Sequence, residues 1–265
     1  MKIGRYEADG RVSFGVVDPE GEVVREIEGN PFGTIRETGV VRRLPEVRLL
    51  SPVVPSKIVA VGLNYRDHAR EMGKEIPEEP LLFLKAPSAL NHPGGDVVYP
   101  AASRRVDHEA ELAVVIGKVA KNIRSAEAAR VILGYTCIND VTARDLQVKD
   151  VQYARAKGFD TFAPLGPWVE TELSPESLAV RCTVNGEVRQ EGNTREMGAS
   201  VFRLVEFITH VMTLYPGDVI ATGTPPGVGP LRVGDVVTVE IEGIGALSNR
   251  IVAPPESSTR EKKPS

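Results

Sequence analysis

The chain has 265 residues, 42% of them hydrophobic, with 32 Lys+Arg against 36 Asp+Glu and a formal net charge of −4. This mild acidity supplies no electrostatic footprint for nucleic acid or an anionic membrane. Two cysteines, Cys137 and Cys182, are too few for a disulfide framework, and no apolar run approaches the roughly 20 residues that a membrane helix needs. The opening segment, Met1 to Glu7, lacks an apolar signal core, so a cytoplasmic globular protein is expected, with no nucleic-acid and no membrane partner.

In chain order, short alternating strands are expected at Met1 to Glu7, Arg11 to Val17 and Glu22 to Glu28, separated by turn residues. A Pro-bearing connector from Arg43 to Pro55 places a boundary near residue 52, giving a small N-terminal domain over 1–52 and a larger one over 53–252. A buried strand, Lys57 to Gly62, opens the second part. A short helix over Tyr65 to Met72 follows, stopped by Gly73. Further strands are expected at Glu111 to Ile116, Tyr135 to Thr142, Asp218 to Ala221, Val236 to Glu242 and Leu247 to Val252. A hairpin over Val180 to Gln190 would turn at Asn185-Gly186. Helices are expected at Ala126 to Leu133, with Ser125 as N-cap, and at Ala199 to Leu214. The latter gathers Val201, Leu204, Val205, Ile208, Val211 and Met212 on one face. The balance predicts a mixed α/β, mostly β protein, and the polar residues 253–265 read as a disordered tail. Pro216-Gly217-Asp218 and Val233-Gly234-Asp235 share the form of a tight turn feeding a strand, without making a repeat architecture.

The most informative stretch runs from Val106 to Gly117. Glu109 and Glu111 lie two apart, so on a strand they face the same way and repel unless a cation or a shared proton neutralises them. A solvated strand entrance is the plain alternative. Asp140 adds a third carboxylate inside an apolar run, where burial is costly without a partner. Three oxygen donors suit Mg²⁺, with Mn²⁺ or Ca²⁺ as substitutes. His108 should face away from Glu109 and be structural. His68 and Glu71 are three apart on the expected short helix, either a surface pair or an oriented general base. Lys157 is either an exposed lysine or a cation facing a developing enolate or a substrate carboxylate. The run Thr222 to Gly229 lacks the lysine of a phosphate-binding loop. It is a turn after a strand or a backbone grip for a carboxylate.

Six motifs occur in order: G-L-N-Y-R-D-H-A-R-E (62–71), L-F-L-K-A-P-S-A-L (82–90), D-H-E-A-E-L (107–112), I-N-D-V-T-A-R-D-L-Q (138–147), K-G-F-D-T-F-A-P-L-G-P (157–167) and T-G-T-P-P-G-V-G (222–229). As a set they resemble the fumarylacetoacetate hydrolase superfamily, from about Ser56 to Val252. The resemblance implies a rolled mixed β-sandwich catalytic domain behind a small variable N-terminal domain, commonly as a homodimer. It implies that Glu109, Glu111 and Asp140 are metal ligands and that His68 and Glu71 form a dyad on a mobile lid, with Gly62 and Gly73 bracketing that segment. It further implies substrate-binding roles for Lys157 and Thr224, with Gln147 nearby. Lys85 matches the family lysine of the second motif, and we group it with the substrate-binding candidates. Leu63 departs from the basic residue that some acylpyruvase members carry there. The activity expected from the resemblance is Mg²⁺-dependent cleavage of a carbon–carbon bond in an acylpyruvate or other small 2-oxo acid, dicarboxylates included, through a stabilised enolate. The alternatives are isomerisation of 2-hydroxyhepta-2,4-diene-1,7-dioate and decarboxylation of oxaloacetate. Outside catalysis, a metal-binding subunit is the remaining reading.

Overall fold

The computed structural model describes residues 1–255; ten of the residues expected to form a disordered tail lie outside the described residues. Three sheets dominate. The largest has a central path of ten strands in the spatial order Glu37–Arg43, Val23–Ile27, Arg11–Asp18, Lys2–Ala8, Ala163–Glu170, Ile132–Asn139, Ala110–Ile116, Val219–Ala221, Ile58–Gly62 and Leu81–Lys85. Neighbours are antiparallel except Val219–Ala221, which runs parallel to Ile58–Gly62. The strands of residues 1–52 join this sheet where Lys2 and Ile3 pair with Glu170 and Val169, so the N-terminal segment shares a sheet with the rest of the chain.

A five-stranded sheet, ordered Glu187–Asn193, Ala179–Val184, Val236–Ile241, Gly245–Val252 and Val97–Val98, packs across the large one. Val114, Ile138, Leu165, Val180, Cys182, Val239 and Leu247 are buried in the apolar core. A three-stranded sheet of Thr142–Ala143, Val106–His108 and Gly229–Leu231 closes one end. The expected mostly-β mixed architecture is therefore present. No helix among the described residues is long and apolar enough to cross a membrane.

Local differences from the expected elements have identifiable causes. Ser125–Arg130 is a 3-10 turn whose N-cap is Arg124, not an α-helix capped by Ser125. The strand Ile132–Asn139 starts two residues later and takes Gly134 into its ladder, where a Cβ would collide with the Glu170 carbonyl. Helix formation loses there to β-pairing. Four α-helices are present among the described residues: α1 (Arg66–Glu71), α2 (Arg144–Asp150), α3 (Ala154–Lys157) and α4 (Val201–Val211). The Ser200 side chain caps α4 by accepting from the Arg203 N–H. The helix ends before Leu214 because Leu214 instead pairs with Ala120, which leaves Val211 exposed rather than on the core face.

Turn chemistry follows expectation more closely. Asn185 and Gly186 both adopt positive φ (54° and 83°), the conformation that a two-residue hairpin between Val184 and Glu187 requires. In the two Gly-Asp turns the aspartate accepts the N–H three residues earlier, Tyr215 to Asp218 and Arg232 to Asp235. Asp218 is wholly buried and also accepts from Ser56 and Lys57, tying the start of the Ile58–Gly62 strand to its parallel neighbour.

Candidate metal centre and its cleft

The chain breaks its regular pairing at Glu109, between Val106–His108 and Ala110–Ile116. Asp140 follows directly on Ile132–Asn139, the antiparallel neighbour. The Asp140 N–H donates to the Glu109 carbonyl (2.9 Å), and the Asn139 side chain accepts the Glu109 N–H (3.0 Å). These backbone links bring Glu109, Glu111 and Asp140 together, each offering an oxygen within 4.8 Å of the others, all three buried.

Cations surround two of the three carboxylates. Lys157, at the end of α3, donates to Glu109 (2.8 Å) and to Asp140 Oδ2 (2.6 Å), while Lys85 donates to Asp140 Oδ1 (2.5 Å). Arg144, the first residue of α2, pairs with both Glu109 and Asp107. Burial alone would raise the Glu109 carboxyl, but the charges of Lys157 and Arg144 outweigh it and hold Glu109 below the usual carboxylate range. Lys157 is held protonated in the same way: burial works against its charge, and Asp140 and Glu109 overcome it. Lys85 is lowered, burial prevailing over the attraction of Asp140.

Glu111 is different. It accepts the Gly223 N–H (2.8 Å), and among the described residues no lysine or arginine forms an ion pair with it. Burial, then repulsion from Asp140 and Glu109, push its carboxyl well above the ordinary range. A buried carboxylate facing two others, with room for a cation among hard oxygen donors, fits a divalent ion of the Mg²⁺ or Mn²⁺ type.

Beside the triad lies a cleft of about 550 Å³ whose lining includes Glu109, Glu111, His68, Lys157, Gln147 and Thr224. Six of the nine residues singled out in the sequence thus share one cavity. Of the others, Asp140 and Lys85 lie buried next to it, and Glu71 reaches it through His68. The His68 Nδ1 contacts Glu71 at 3.0 Å. Because a carboxylate only accepts, Nδ1 carries a proton, which in the neutral imidazole makes Nε2 the acceptor. Glu71 also accepts the Gly227 N–H at 3.1–3.2 Å, so the same carboxylate orients the imidazole and fastens the helix to the Thr222–Gly229 run.

The segment carrying His68 is hinged differently from expectation. Gly73 does take positive φ (63°), but at the other end Leu63 (φ 54°), not Gly62, makes the turn. Asn64 then anchors the backbone, its amide donating to the Ala199 and Thr222 carbonyls and accepting the Ala199 N–H.

Lys157 is only 2% exposed, which removes the exposed-lysine alternative. Thr224 spends its hydroxyl within the protein, donating to the Ala110 carbonyl and accepting from Gln190. Gln147 accepts from Arg144 at 2.6 Å. His108 faces the second sheet, with Nδ1 on Gln190. Arg144 was not singled out in the sequence; the available signal was Asp107, a further buried carboxylate two before Glu109 that required a cation.

Residues 57–252 match the family model for the fumarylacetoacetate (FAA) hydrolase C-terminal domain, and residues 1–52 match that for an Rv2993c-like N-terminal domain. The chain belongs to the fumarylacetoacetate hydrolase family. A solved 5-carboxymethyl-2-hydroxymuconate delta-isomerase from Mycobacterium smegmatis is 47% identical, with a TM-score of 0.91 over 96% of this chain and 100% of that one. The mitochondrial oxaloacetate tautomerase FAHD2A of Homo sapiens is 45% identical over 220 residues, covering 78% of this chain and 70% of the relative. A maleylpyruvate hydrolase from Sphingobium sp. SYK-6, solved with manganese(II) and pyruvate, is 29% identical, with a TM-score of 0.80 over 96% of this chain and 100% of that one. The two relatives of higher identity here carry isomerase and tautomerase names, and the more distant one a hydrolase name.

Proposed function

We propose that the protein is a divalent-cation-dependent isomerase of small 2-oxo acids, moving a proton between the carbon next to the 2-oxo group and another position of the same conjugated system. One observation carries this reading: the oriented His68 and two carboxylates of the triad, Glu109 and Glu111, line a single cleft, with Asp140 buried beside it. Glu109, Glu111 and Asp140 would hold the cation, with Mg²⁺ the first candidate and Mn²⁺ a substitute. When bound, it supplies Lewis-acid stabilisation of negative charge developing on a substrate oxygen.

The protein's own groups account for the remaining steps. His68 Nε2, with its lone pair free, takes the proton from the substrate carbon and returns it at the second position. Glu71 fixes the ring and stabilises the imidazolium formed between the two transfers. General acid–base assistance of this kind contributes about 10²–10⁴-fold. Lys157 and Arg144 place fixed positive charge in the lining of the cleft, within reach of a substrate carboxylate or a developing enolate. Gln147, held by Arg144, and Thr224 also line the cleft. The close match to a delta-isomerase and a tautomerase supports this choice over hydrolysis.

Hydrolysis remains the second reading because the same dyad would activate a water, and the more distant Sphingobium relative is named for it. Both are tested by one experiment. The purified protein is incubated in D₂O with Mg²⁺ or EDTA, with oxaloacetate, acetylpyruvate or 2-hydroxyhepta-2,4-diene-1,7-dioate, and followed by NMR. Mg²⁺-dependent tautomer interconversion or double-bond migration, without chain cleavage, is expected. Formation of pyruvate and acetate from acetylpyruvate would refute the isomerase reading in favour of hydrolysis.

A further inference from the structure

Gln190 lies on Glu187–Asn193, in the sheet that does not carry the metal-site carboxylates, and it is wholly buried. Its side-chain oxygen accepts the Ala110 N–H (3.0 Å) and meets His108 Nδ1 (3.0 Å), the residues immediately on either side of Glu109. Its side-chain nitrogen donates to Thr224 Oγ1 (2.7 Å) and to the Pro225 carbonyl (2.8 Å). All four hydrogen-bonding positions of the amide are thus occupied. Two connect to the break in the strand at Glu109, and two connect to the loop that delivers Thr224 to the cleft.

That loop continues to Gly227, whose positive φ (93°) and close seating on the Arg189 carbonyl leave no space for a side chain. Its N–H is the one that Glu71 accepts. The lid helix therefore docks on a loop that the Arg189–Gln190 strand holds in place. From this arrangement we propose that Gln190 is a positioning residue. It fixes the spacing between Glu109 and the Thr224–Gly227 loop, and through that loop the seating of Glu71 and the aim of His68. The proposal rests on the reading above that Glu109 and the His68–Glu71 dyad serve one reaction.

Gln190 itself does not line the cleft. The carboxylates keep their own supports from Lys157, Lys85, Arg144 and Gly223 when it is removed. Loss of Gln190 should accordingly loosen the loop and the dyad while sparing cation affinity. Gln190→Leu removes all four contacts at similar volume. Gln190→Glu keeps an acceptor for Ala110 and lacks the amide donor pair. Val184→Ala, in the neighbouring strand, serves as a control for general weakening of this sheet.

For each variant, amide hydrogen exchange, Mn²⁺ affinity without substrate and the kinetics of the isomerisation are measured. In Gln190→Leu, exchange at Thr224, Gly227 and Val228 should rise about tenfold or more, as expected when two buried hydrogen bonds to one loop are lost. The kcat should fall about tenfold or more, with Mn²⁺ Kd changed less than about threefold. In Gln190→Glu, the same loop amides should exchange faster while Ala110 stays protected. If Gln190→Leu does not fold, this split in Gln190→Glu decides the matter. Loop exchange no faster than in Val184→Ala at a matched loss of Tm would overturn the proposal. Should the wild-type protein turn over none of the 2-oxo acids, the proposed reaction fails, whereas the exchange and Mn²⁺ measurements still judge Gln190.

Discussion

Replacing Lys157 by Met tests the electrostatics of the centre, because it should weaken the cation-free protein and strengthen its hold on a cation. The Lys157 ammonium is 2.8 Å from Glu109 and 2.6 Å from Asp140, and the side chain is 2% exposed. Removing one partner of a buried ion pair costs about 3–5 kcal/mol. For a chain of this size each kcal/mol moves Tm by about 2–4 °C, so a fall of about 6–20 °C is expected in EDTA. Mg²⁺ should recover more of this than it adds to the wild type. At about 4 Å and an effective dielectric constant near 20, one unit charge repels a dication by about 8 kcal/mol. Even a sixth of that, about 1.4 kcal/mol, makes binding about tenfold tighter and adds about 3–6 °C to the increment produced by saturating Mg²⁺. Thermal denaturation of both proteins across an Mg²⁺ titration reads the difference directly. An Mg²⁺ increment in Lys157→Met equal to or smaller than that of the wild type would refute the placement of the cation among these carboxylates.

Three further outcomes are expected. His68→Ala should leave Mg²⁺ affinity intact and lower turnover at least about tenfold; unchanged turnover would remove the dyad from the reaction. Glu109→Ala should weaken Mg²⁺ binding, and equal affinity by calorimetry would contradict its assignment as a ligand. The stabilisation by Mg²⁺ should grow as pH rises through and above the ordinary carboxylate range. The Glu111 carboxyl is raised in the folded protein, so the folded state holds a proton that the unfolded chain has released. Its contribution to the cation-free protein is fully present below the unfolded pKa and is lost as pH climbs toward the raised folded value, whereas a bound cation replaces that proton. A Tm increment that stays flat over this range would show that Glu111 does not exchange a proton for the cation.

The three carboxylates were legible in the sequence for physical reasons. Glu109 and Glu111 share a face by the two-residue period of a strand, and Asp140 interrupts an apolar run in which an unpaired acid would be costly. The strand content and the Asn185-Gly186 hairpin were legible for similar local reasons. The partners were not. Arg144 lies on a two-turn helix whose seven residues show no strong periodicity, and its pairing with Glu109 spans 35 positions. Gln190 stands in a run of polar residues that reads as an outward-facing hairpin, yet its contacts reach across 80 positions to Ala110. Residues 125–133 failed for the opposite reason, because good local helix signals there give way to a ladder with distant strands. Local pattern exposes a group that is expensive to bury, and only tertiary structure shows what offsets that cost.

The position of the centre follows from sheet geometry. Ile132–Asn139 and Val219–Ala221 both run antiparallel to Ala110–Ile116, and Ile58–Gly62 runs parallel to Val219–Ala221. The C-terminal ends of three strands and the N-terminal end of the fourth therefore lie along one edge. Glu109, Asp140, Gly223 with Thr224, and Leu63 are each within three residues of those ends. In the middle of the ladder every N–H is paired, and an acid there would face apolar neighbours alone. At these strand ends the Gly223 N–H reaches the Glu111 carboxylate directly, while the Asp140 N–H donates to the Glu109 backbone carbonyl and ties the two segments together. The Gly223 dipole lowers the cost of burying Glu111 beside the other two acids. Helix α1 enters from the same side through Leu63 and Asn64, which is why a helix only six residues long can bring His68 to the cleft that Glu109 and Glu111 line without a long connecting loop. The register of these four strands, rather than any one motif, thus sets the distance between His68 and the carboxylates. A one-residue slip between Ala110–Ile116 and Ile132–Asn139 would turn Glu111 and Asp140 away from one another.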